Sequence, residues 1–189
     1  MKTNTRRLAD TAILIALGTI LSMIQIEMPM GGGLTACSML PLVFLSYRYG
    51  WKWGGLAGLI YSLIQMLLGI KNVQYASSAI MALGIIFLDY IFAYSVIGFA
   101  SLFGGKPTNT RKSLIIGIVV SFLLRFLFHF FSGWWIWNAL WPNEFGMAAP
   151  VYSLVYNGWY MGAEIILSVA VTMAIYNPLK KYINGEDLK

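Results

Sequence analysis

The sequence contains a single cysteine, Cys37, and a single histidine, His129, in 189 residues. One cysteine cannot form a disulfide within the chain, and the pair cannot supply the four ligands of a usual structural zinc site. A haem site is equally unfavoured. No glycine-rich phosphate loop of the P-loop type is present, so we do not expect the chain itself to hydrolyse ATP. We therefore predict neither a metal nor any other cofactor.

Charged residues are also scarce, at 11% of the chain against about 25% in a typical soluble domain. Hydrophobic residues make up 59%, and the mean hydropathy is +0.71. Such a chain cannot build a water-facing surface, which predicts an integral membrane protein. Six spans of about 20 residues would use roughly 120 residues and leave no room for a second domain. We expect residues 1–189 to form one transmembrane domain.

The apolar residues fall into six segments separated by polar, glycine-containing or proline-containing breaks. A triple glycine cannot hold a helix in lipid, so Glu27 to Gly33 is predicted as a loop or re-entrant cap at one face of the membrane. The predicted fold is all-α with six transmembrane helices. The segments run approximately over Ala9–Ile26, Leu34–Tyr47, Gly54–Ile70, Tyr75–Phe103, Ser113–Trp135 and Ala148–Leu179.

The formal charge of +6 is explained by membrane topology better than by nucleic-acid binding, which we do not predict. With the N-terminus inside, the outer loops keep Lys71 beside Glu27 and Glu144. The cytoplasmic side then carries the other basic loop residues, and both termini are cytoplasmic. The first apolar run lacks a small-residue cleavage site, so we expect a retained helix. We predict a multi-pass protein of the plasma membrane with a mildly acidic outer mouth.

Three charged residues interrupt the apolar segments: Asp89, Arg125 and Glu164. Each would cost about 3 kcal/mol near the centre of a bilayer, so none should face lipid. Because the last two helices run antiparallel, Arg125 and Glu164 fall at similar depth, and we hypothesise an ion pair between them. The alternative is that each bonds separately to backbone or water.

Asp89 has no obvious partner if Arg125 is already paired. A buried carboxylate without a resident cation is a natural counter-ion for a cationic ligand. The alternative is a protonated, hydrogen-bonded aspartate with a structural role, and the chemistry alone does not choose between the two.

The stretch from His129 to Asn157 contains four of the seven tryptophans and ends with Tyr152 and Asn157. Aromatic faces, an imidazole, a hydroxyl and an amide between two apolar segments predict a pocket for a flat, polar molecule, either neutral or cationic. The alternative is an aromatic belt at the membrane interface. We assign Trp137 to ligand stacking. The belt is assigned to Trp134, Trp135 and Trp141.

Ala12 and Ala16 form a pair of small residues one helical turn apart in the first segment. In lipid, such a stripe lets another helix approach closely. The simpler explanation of this pair is close packing against another helix of the same bundle. The alternative is docking of a helix from a partner subunit.

Several of these motifs together resemble a known family. They are the glycine loop before Leu40-Pro41, Leu88-Asp89-Tyr90, Arg125 followed by His129, Ser132-Gly133, and Tyr152-Ser-Leu-Val-Tyr-Asn157. The chain is similar, over nearly its whole length, to the thiamine-specific S-components of energy-coupling-factor vitamin transporters. The resemblance implies a six-helix subunit that binds thiamine near the outer face of the membrane, under the first loop. It also implies assembly with a transmembrane coupling subunit and two ATPases, docked through Ala12 and Ala16.

The resemblance further implies which residues contact the ligand. Asp89 stands where the family has an acidic residue, and Tyr61 where some members carry tryptophan. A first-loop tryptophan of some relatives is missing, because Gly31 to Gly33 lie there. The implied substrate-binding residues are Asp89, Tyr90, His129, Trp137, Tyr152, Asn157, Tyr61 and Tyr75.

Three other functions stay open at this point. The chain could be the S-component for a different vitamin. It could be a stand-alone ion-coupled carrier using Asp89 and Glu164, although no inverted repeat is visible. An intramembrane enzyme using Asp89 and His129 is disfavoured because no clear nucleophile or second histidine is present.

Overall fold

A computed structural model describes residues 3–28, 32–105 and 110–188 of the chain. Within these ranges the protein is almost entirely helical, with one small hairpin. The elements are α1 (Thr3–Met23), β1 (Gln25–Glu27), β2 (Gly33–Thr35), α2 (Leu40–Tyr49), α3 (Trp51–Leu68), α4 (Ile70–Gln74), α5 (Ala79–Gly104), α6 (Arg111–Leu140) and α7 (Ala149–Ile183), followed by a short turn, Glu186–Leu188.

The six predicted segments correspond in order to α1, α2, α3, α5, α6 and α7. By length and composition, α5, α6 and α7 are the helices of the described ranges that can cross a membrane. The predicted segments begin and end within six residues of the observed helices, with the largest differences at the starts of α1 and α2. The last helix continues past Pro178 to Ile183.

The first loop contains a hairpin that the sequence analysis did not predict. β1 and β2 pair antiparallel, with Gln25 opposite Thr35 and Glu27 opposite Gly33. Residues 29–31, which include Gly31 of the predicted glycine loop, lie outside the described ranges. The strictly all-α prediction is therefore wrong in this one place.

The second helix is shorter than predicted, because the first residues of the predicted segment, Leu34 and Thr35, belong to β2. α2 begins at Leu40 with Pro41 in its first turn, where the missing proline N–H would have had no helical partner. α2 and α3 separate at Gly50, whose φ of +91° favours glycine. Residues 51–53, which lie between the second and third predicted segments, form the start of α3.

Two helices carry widened, π-helical turns. In α5 the π-helical segment is Ile85–Phe92, and in α6 it is Gly133–Trp137. Such segments are rare and concentrate at functional sites, since they re-aim side chains at a cost in helix stability. Asp89 lies in the first segment and Trp137 in the second.

A buried arginine ties three parts of the chain together at the bundle end that carries the N-terminus of α1. The Arg48 side chain is fully buried. Its guanidinium bonds to Asp10 of α1 at 2.8 Å, to Asp187 at 2.6 Å and to the Tyr182 carbonyl oxygen at 2.5 Å. Arg6 also contacts Asp187. The C-terminal turn is thereby fixed to α1 and α2.

Candidate ligand-binding site

A cavity of about 450 Å³ opens between α5, α6 and α7. This volume falls in the range of small-molecule sites, and the lining combines aromatic rings with a few polar groups, as ligand sites usually do. The lining residues are Asn72, Asp89, Tyr90, Tyr94, His129, Gly133, Trp137, Asn138, Trp141, Tyr152, Ser153, Tyr156, Asn157 and Tyr160.

Asp89 is the acidic group of this cavity, and three neighbours contact its carboxylate. Ser132 Oγ and Trp137 Nε1 each donate to Oδ2 at 2.8 Å. His129 Nδ1 lies 3.1 Å from Oδ1. A carboxylate can accept about four hydrogen bonds, so one acceptor position is left for a ligand.

His129 has one ring nitrogen occupied and one free. With the Asp89 carboxylate as acceptor, Nδ1 carries the proton and Nε2 keeps its lone pair, a tautomer assigned from the hydrogen-bond network. Nε2 is buried and has no partner among the described residues. A buried acceptor without a donor is costly, so this nitrogen is suited to a donor supplied by a ligand.

The Asn157 amide is held by its own helix and by α6. Its nitrogen donates to the Ser153 carbonyl oxygen at 2.9 Å and contacts the His129 carbonyl oxygen at 3.3 Å. Its oxygen accepts a bond of 3.0 Å from the Tyr160 hydroxyl. In this arrangement Asn157 fixes the wall of the cavity, and its amide hydrogens point at protein rather than at the open space.

Stacked rings form the aromatic side of the cavity. The rings of Trp137 and Trp141 are 5.6 Å apart and inclined by only 11°. Trp141, which we predicted to be a membrane anchor, therefore lines the cavity together with Trp137. Tyr152 also lines it and stacks on Phe145 at 5.9 Å. Trp134 and Trp135 are exposed on the outer side of α6 and do not line the cavity.

Tyr90 presents its ring rather than its hydroxyl. The hydroxyl donates to the Gly69 carbonyl oxygen at 2.9 Å and accepts a bond of 2.9 Å from Asn72 Nδ2. These bonds anchor α5 to the end of α3 and the start of α4, and they leave the Tyr90 ring as the surface available to a ligand.

Tyr61 and Tyr75 do not reach the cavity. Tyr61 is fully buried in the core, and its ring packs edge-on against Tyr94 at 5.6 Å. It supports the lining residue Tyr94 and does not line the cavity, and its role as a ligand contact stays a prediction. Tyr75 is exposed and packs edge-on against Trp141 at 4.9 Å, so it lies at the rim.

The sequence analysis missed several lining residues, notably Tyr94, Tyr156 and Tyr160. A signal was present for the last two. They follow Tyr152 at intervals of four residues, which places all three on one face of a helix. Asn72 and Ser153 gave no comparable signal, because isolated small polar residues near helix ends are common.

The hypothesised ion pair between Arg125 and Glu164 is absent from the structure. Glu164 instead accepts hydrogen bonds from the backbone nitrogen and the hydroxyl of Thr35, at 3.0 and 2.9 Å. Arg125 lies over the ring of Tyr94 at 4.8 Å and contacts the Met161 sulfur at 3.5 Å. The partner of Glu164 is thus β2 and not α6.

Comparison with known proteins identifies the family of the chain. The sequence model of the family described as thiamine transporter protein matches residues 8–184. The thiamine transporter ThiT of Bacillus subtilis (strain 168) is 29% identical over 192 residues, covering 95% of each chain. A solved structure of ThiT from Listeria monocytogenes shares the fold with a TM-score of 0.74 at 24% identity, covering 95% of this chain and 98% of that one. The chain described here belongs to the thiamine transporter family.

Proposed function

We propose that this chain captures thiamine in the cavity between α5, α6 and α7, as the substrate-binding membrane subunit of an energy-coupling-factor transporter. The observation that carries the proposal is the pairing of Asp89 with His129 inside an aromatic cavity. Thiamine has a flat aminopyrimidine, a permanently cationic thiazolium ring and a hydroxyethyl arm. Each of these features has a counterpart in the cavity.

The aminopyrimidine fits the polar end of the site. The Asp89 carboxylate has one acceptor position left, and His129 Nε2 is an acceptor without a donor. An exocyclic amino group has two N–H donors and satisfies both. The stacked rings of Trp137 and Trp141 offer a face to the planar ligand, and a cation over an indole contributes about 0.5–2 kcal/mol.

The charge balance also favours a monocation. The charged side chains within the apolar lengths of α5, α6 and α7 are Asp89, Arg125 and Glu164. With His129 neutral, they leave one net negative charge. A ligand of charge +1 neutralises this negative charge. A phosphorylated ligand would add further negative charge, and the sequence predicts no cluster of basic residues at the outer face to balance it.

Binding by the purified chain tests this proposal. Thiamine should quench tryptophan fluorescence, because Trp137 and Trp141 line the cavity. Riboflavin, folate and biotin should neither quench it nor compete with thiamine. Quenching by one of these vitamins in place of thiamine would show that the ligand assignment is incorrect. Turnover of a ligand, or thiamine uptake by vesicles that contain only this chain, would contradict the role as a capture subunit.

Docking to the coupling subunit is proposed to use α1. Ala12 and Ala16 are both exposed on this helix, whereas Thr11 and Ile15 beside them face the core. Close helix approach requires small side chains. Replacing both alanines with leucine should prevent co-purification with the coupling subunit and the two ATPases while leaving thiamine binding intact. Ala170→Leu, at an exposed position of α7, is the matched control.

The proposal includes the predicted topology of six spans with both termini in the cytoplasm. In that orientation the cavity opens outward and the Arg48 cluster lies at the cytoplasmic end of the bundle. Cysteine labelling from outside in a Cys37→Ala background should reach position 144 and not position 112. The reverse pattern would invert the orientation.

A further inference from the structure

A second, smaller cavity of about 200 Å³ lies between the first-loop hairpin and the ligand cavity. Four residues line both spaces and form the partition between them: Tyr94, His129, Tyr156 and Tyr160. On its other side the second cavity is bounded by hairpin residues, including Gly32 and Thr35, and by Arg125. The hairpin is therefore one wall of a space that adjoins the ligand.

The hairpin is attached to α7 through Glu164. This side chain is almost fully buried, at 1% exposure, and both of its oxygens accept hydrogen bonds from Thr35. The Thr35 hydroxyl also lies 2.8 Å from Ser38 Oγ. Hydrogen bonds to an ionised acceptor are stronger than neutral ones, so this contact is a substantial part of what holds β2 in place.

The position of the hairpin is coupled to the ligand cavity by a close contact. Gly32 has a φ of +75°, and a Cβ added there would lie 2.6 Å from the ring of Tyr160. The Tyr160 hydroxyl in turn donates to Asn157. A displacement of the hairpin would free the Tyr160 ring and loosen the wall that Asn157 fixes.

Arg125 is a buried cation with spare hydrogen-bonding capacity. It is 7% exposed, and its Nε has no partner among the described residues. Its charge attracts that of Glu164, yet none of the salt bridges among the described residues joins the two. Arg125 and Thr35 line the same cavity.

We infer that Glu164 is a positioning residue for ligand retention, which exchanges partners between two states of the hairpin. With the hairpin seated, the carboxylate bonds to Thr35. With the hairpin displaced, the carboxylate turns to Arg125. The exchange keeps a buried carboxylate paired in both states, which lowers the cost of releasing the hairpin. The inference rests on the proposed function, since the retained ligand is thiamine.

Thiamine dissociation from the full chain, followed by stopped-flow tryptophan fluorescence, tests the seated state. Thr35→Val removes the hydroxyl donor at nearly constant volume, and Glu164→Gln removes the charge. Each should accelerate dissociation by roughly tenfold. Two matched controls, Thr19→Val and Glu27→Gln, should leave the rate unchanged. The Thr19 hydroxyl donates to the Ile15 carbonyl oxygen of its own helix, and Glu27 is an exposed carboxylate of the same hairpin. Unchanged dissociation from Thr35→Val and Glu164→Gln would overturn the inference.

Arg125 variants test the exchange itself. Arg125→Gln removes the alternative partner and should slow both association and dissociation by about fivefold or more. Arg125→Lys should restore part of both rates. Because the exchange needs both charges, Arg125→Gln should have no further effect on the rates in a Glu164→Gln background. Equal effects in both backgrounds would mean that the two residues act independently.

Hydrogen exchange in the ligand-free protein separates this inference from the proposed function. The Thr35 amide, which donates to Glu164, should exchange at least tenfold faster in Glu164→Gln than in the unaltered chain. The same amide in Glu27→Gln should exchange at the original rate. This outcome holds whichever ligand the cavity accepts. Equal exchange in all three proteins would show that Glu164 does not hold the hairpin.

Discussion

Trp137 donates a hydrogen bond of 2.8 Å from its indole nitrogen to Asp89, although the two residues lie on different helices and 48 positions apart. One contact therefore joins the anion of the site to its stacking surface. Ser132 donates to the same carboxylate oxygen from one turn before Trp137. The anionic and aromatic parts of the site thus form a single hydrogen-bonded unit. A substitution in one part should therefore alter the position of the other.

Asp89→Asn should weaken thiamine binding by at least about 30-fold. The substitution removes the charge that faces the cation, and truncating a buried charge pair costs about 2 kcal/mol or more. Isothermal titration with thiamine measures the change. Glu144→Gln removes a carboxylate from the exposed loop before α7 and should leave the affinity unchanged. An unaltered affinity of Asp89→Asn would remove Asp89 from the site.

Trp137→Phe should weaken binding by roughly tenfold while keeping an aromatic face. The phenyl ring still stacks, but the hydrogen bond to the ionised Asp89 is lost, which costs about 1.5 kcal/mol. Trp135→Phe is the matched control, because Trp135 is 56% exposed on the far side of the same helical segment. If both variants lose affinity equally, the effect arises from α6 as a whole and not from the indole nitrogen.

His129 should determine selectivity for the pyrimidine amino group. An analogue with oxygen in place of that amino group offers no donor to His129 Nε2, so the unaltered protein should bind it at least tenfold less tightly than thiamine. In His129→Leu this preference should shrink, since the unpaired acceptor is gone. Competition titrations of both compounds against both proteins give the ratio. A preference that is the same in both proteins would exclude the proposed contact.

Arg48→Met should destabilise the folded protein by about 3 kcal/mol, because it leaves Asp10 and Asp187 without their shared partner. The melting temperature in detergent should fall by roughly 10 °C. As a control, Lys52→Met removes an exposed basic side chain near Arg48 and should change the melting temperature little. Thiamine affinity at low temperature should be similar in all three proteins, since the Arg48 cluster does not line the cavity. A melting temperature equal to that of the unaltered chain would contradict the bridging role.

The sequence predicted the helices well, because long apolar runs bounded by polar residues leave few alternatives in a membrane. It did not predict β1 and β2. Strands of three residues have almost no local signature, and they are stabilised by each other and by Glu164 of α7. The contact between Thr35 and Glu164 joins positions 129 residues apart, and the sequence around Thr35 contains no pattern that predicts it.

The site was partly predictable for a related reason. Asp89 and His129 stand out because charged and titratable residues are rare inside apolar runs. The sequence did not indicate that Trp141 lines the cavity, because an aromatic residue at a helix end is equally compatible with lipid headgroups and with a ligand. Only the stacking of Trp141 on Trp137 distinguishes the two. We paired Arg125 with Glu164 because both fall at a similar depth in the membrane. Depth alone does not show which face of its helix each residue occupies.

The π-helical segment Ile85–Phe92 limits how the length of α5 can vary. A π-helical turn holds more residues than an α-helical one, so deleting one residue between Gly84 and Asp89 would let the segment relax to regular α-helix. The parts of α5 before and after the segment would keep nearly the same relative orientation, because the wider turn accommodates about one extra residue, whereas residues inside the segment would be re-aimed. The helix would become more regular while Asp89 turned away from Trp137. Deletions in this segment should therefore be far less compatible with ligand binding than deletions in the polar loop between α5 and α6.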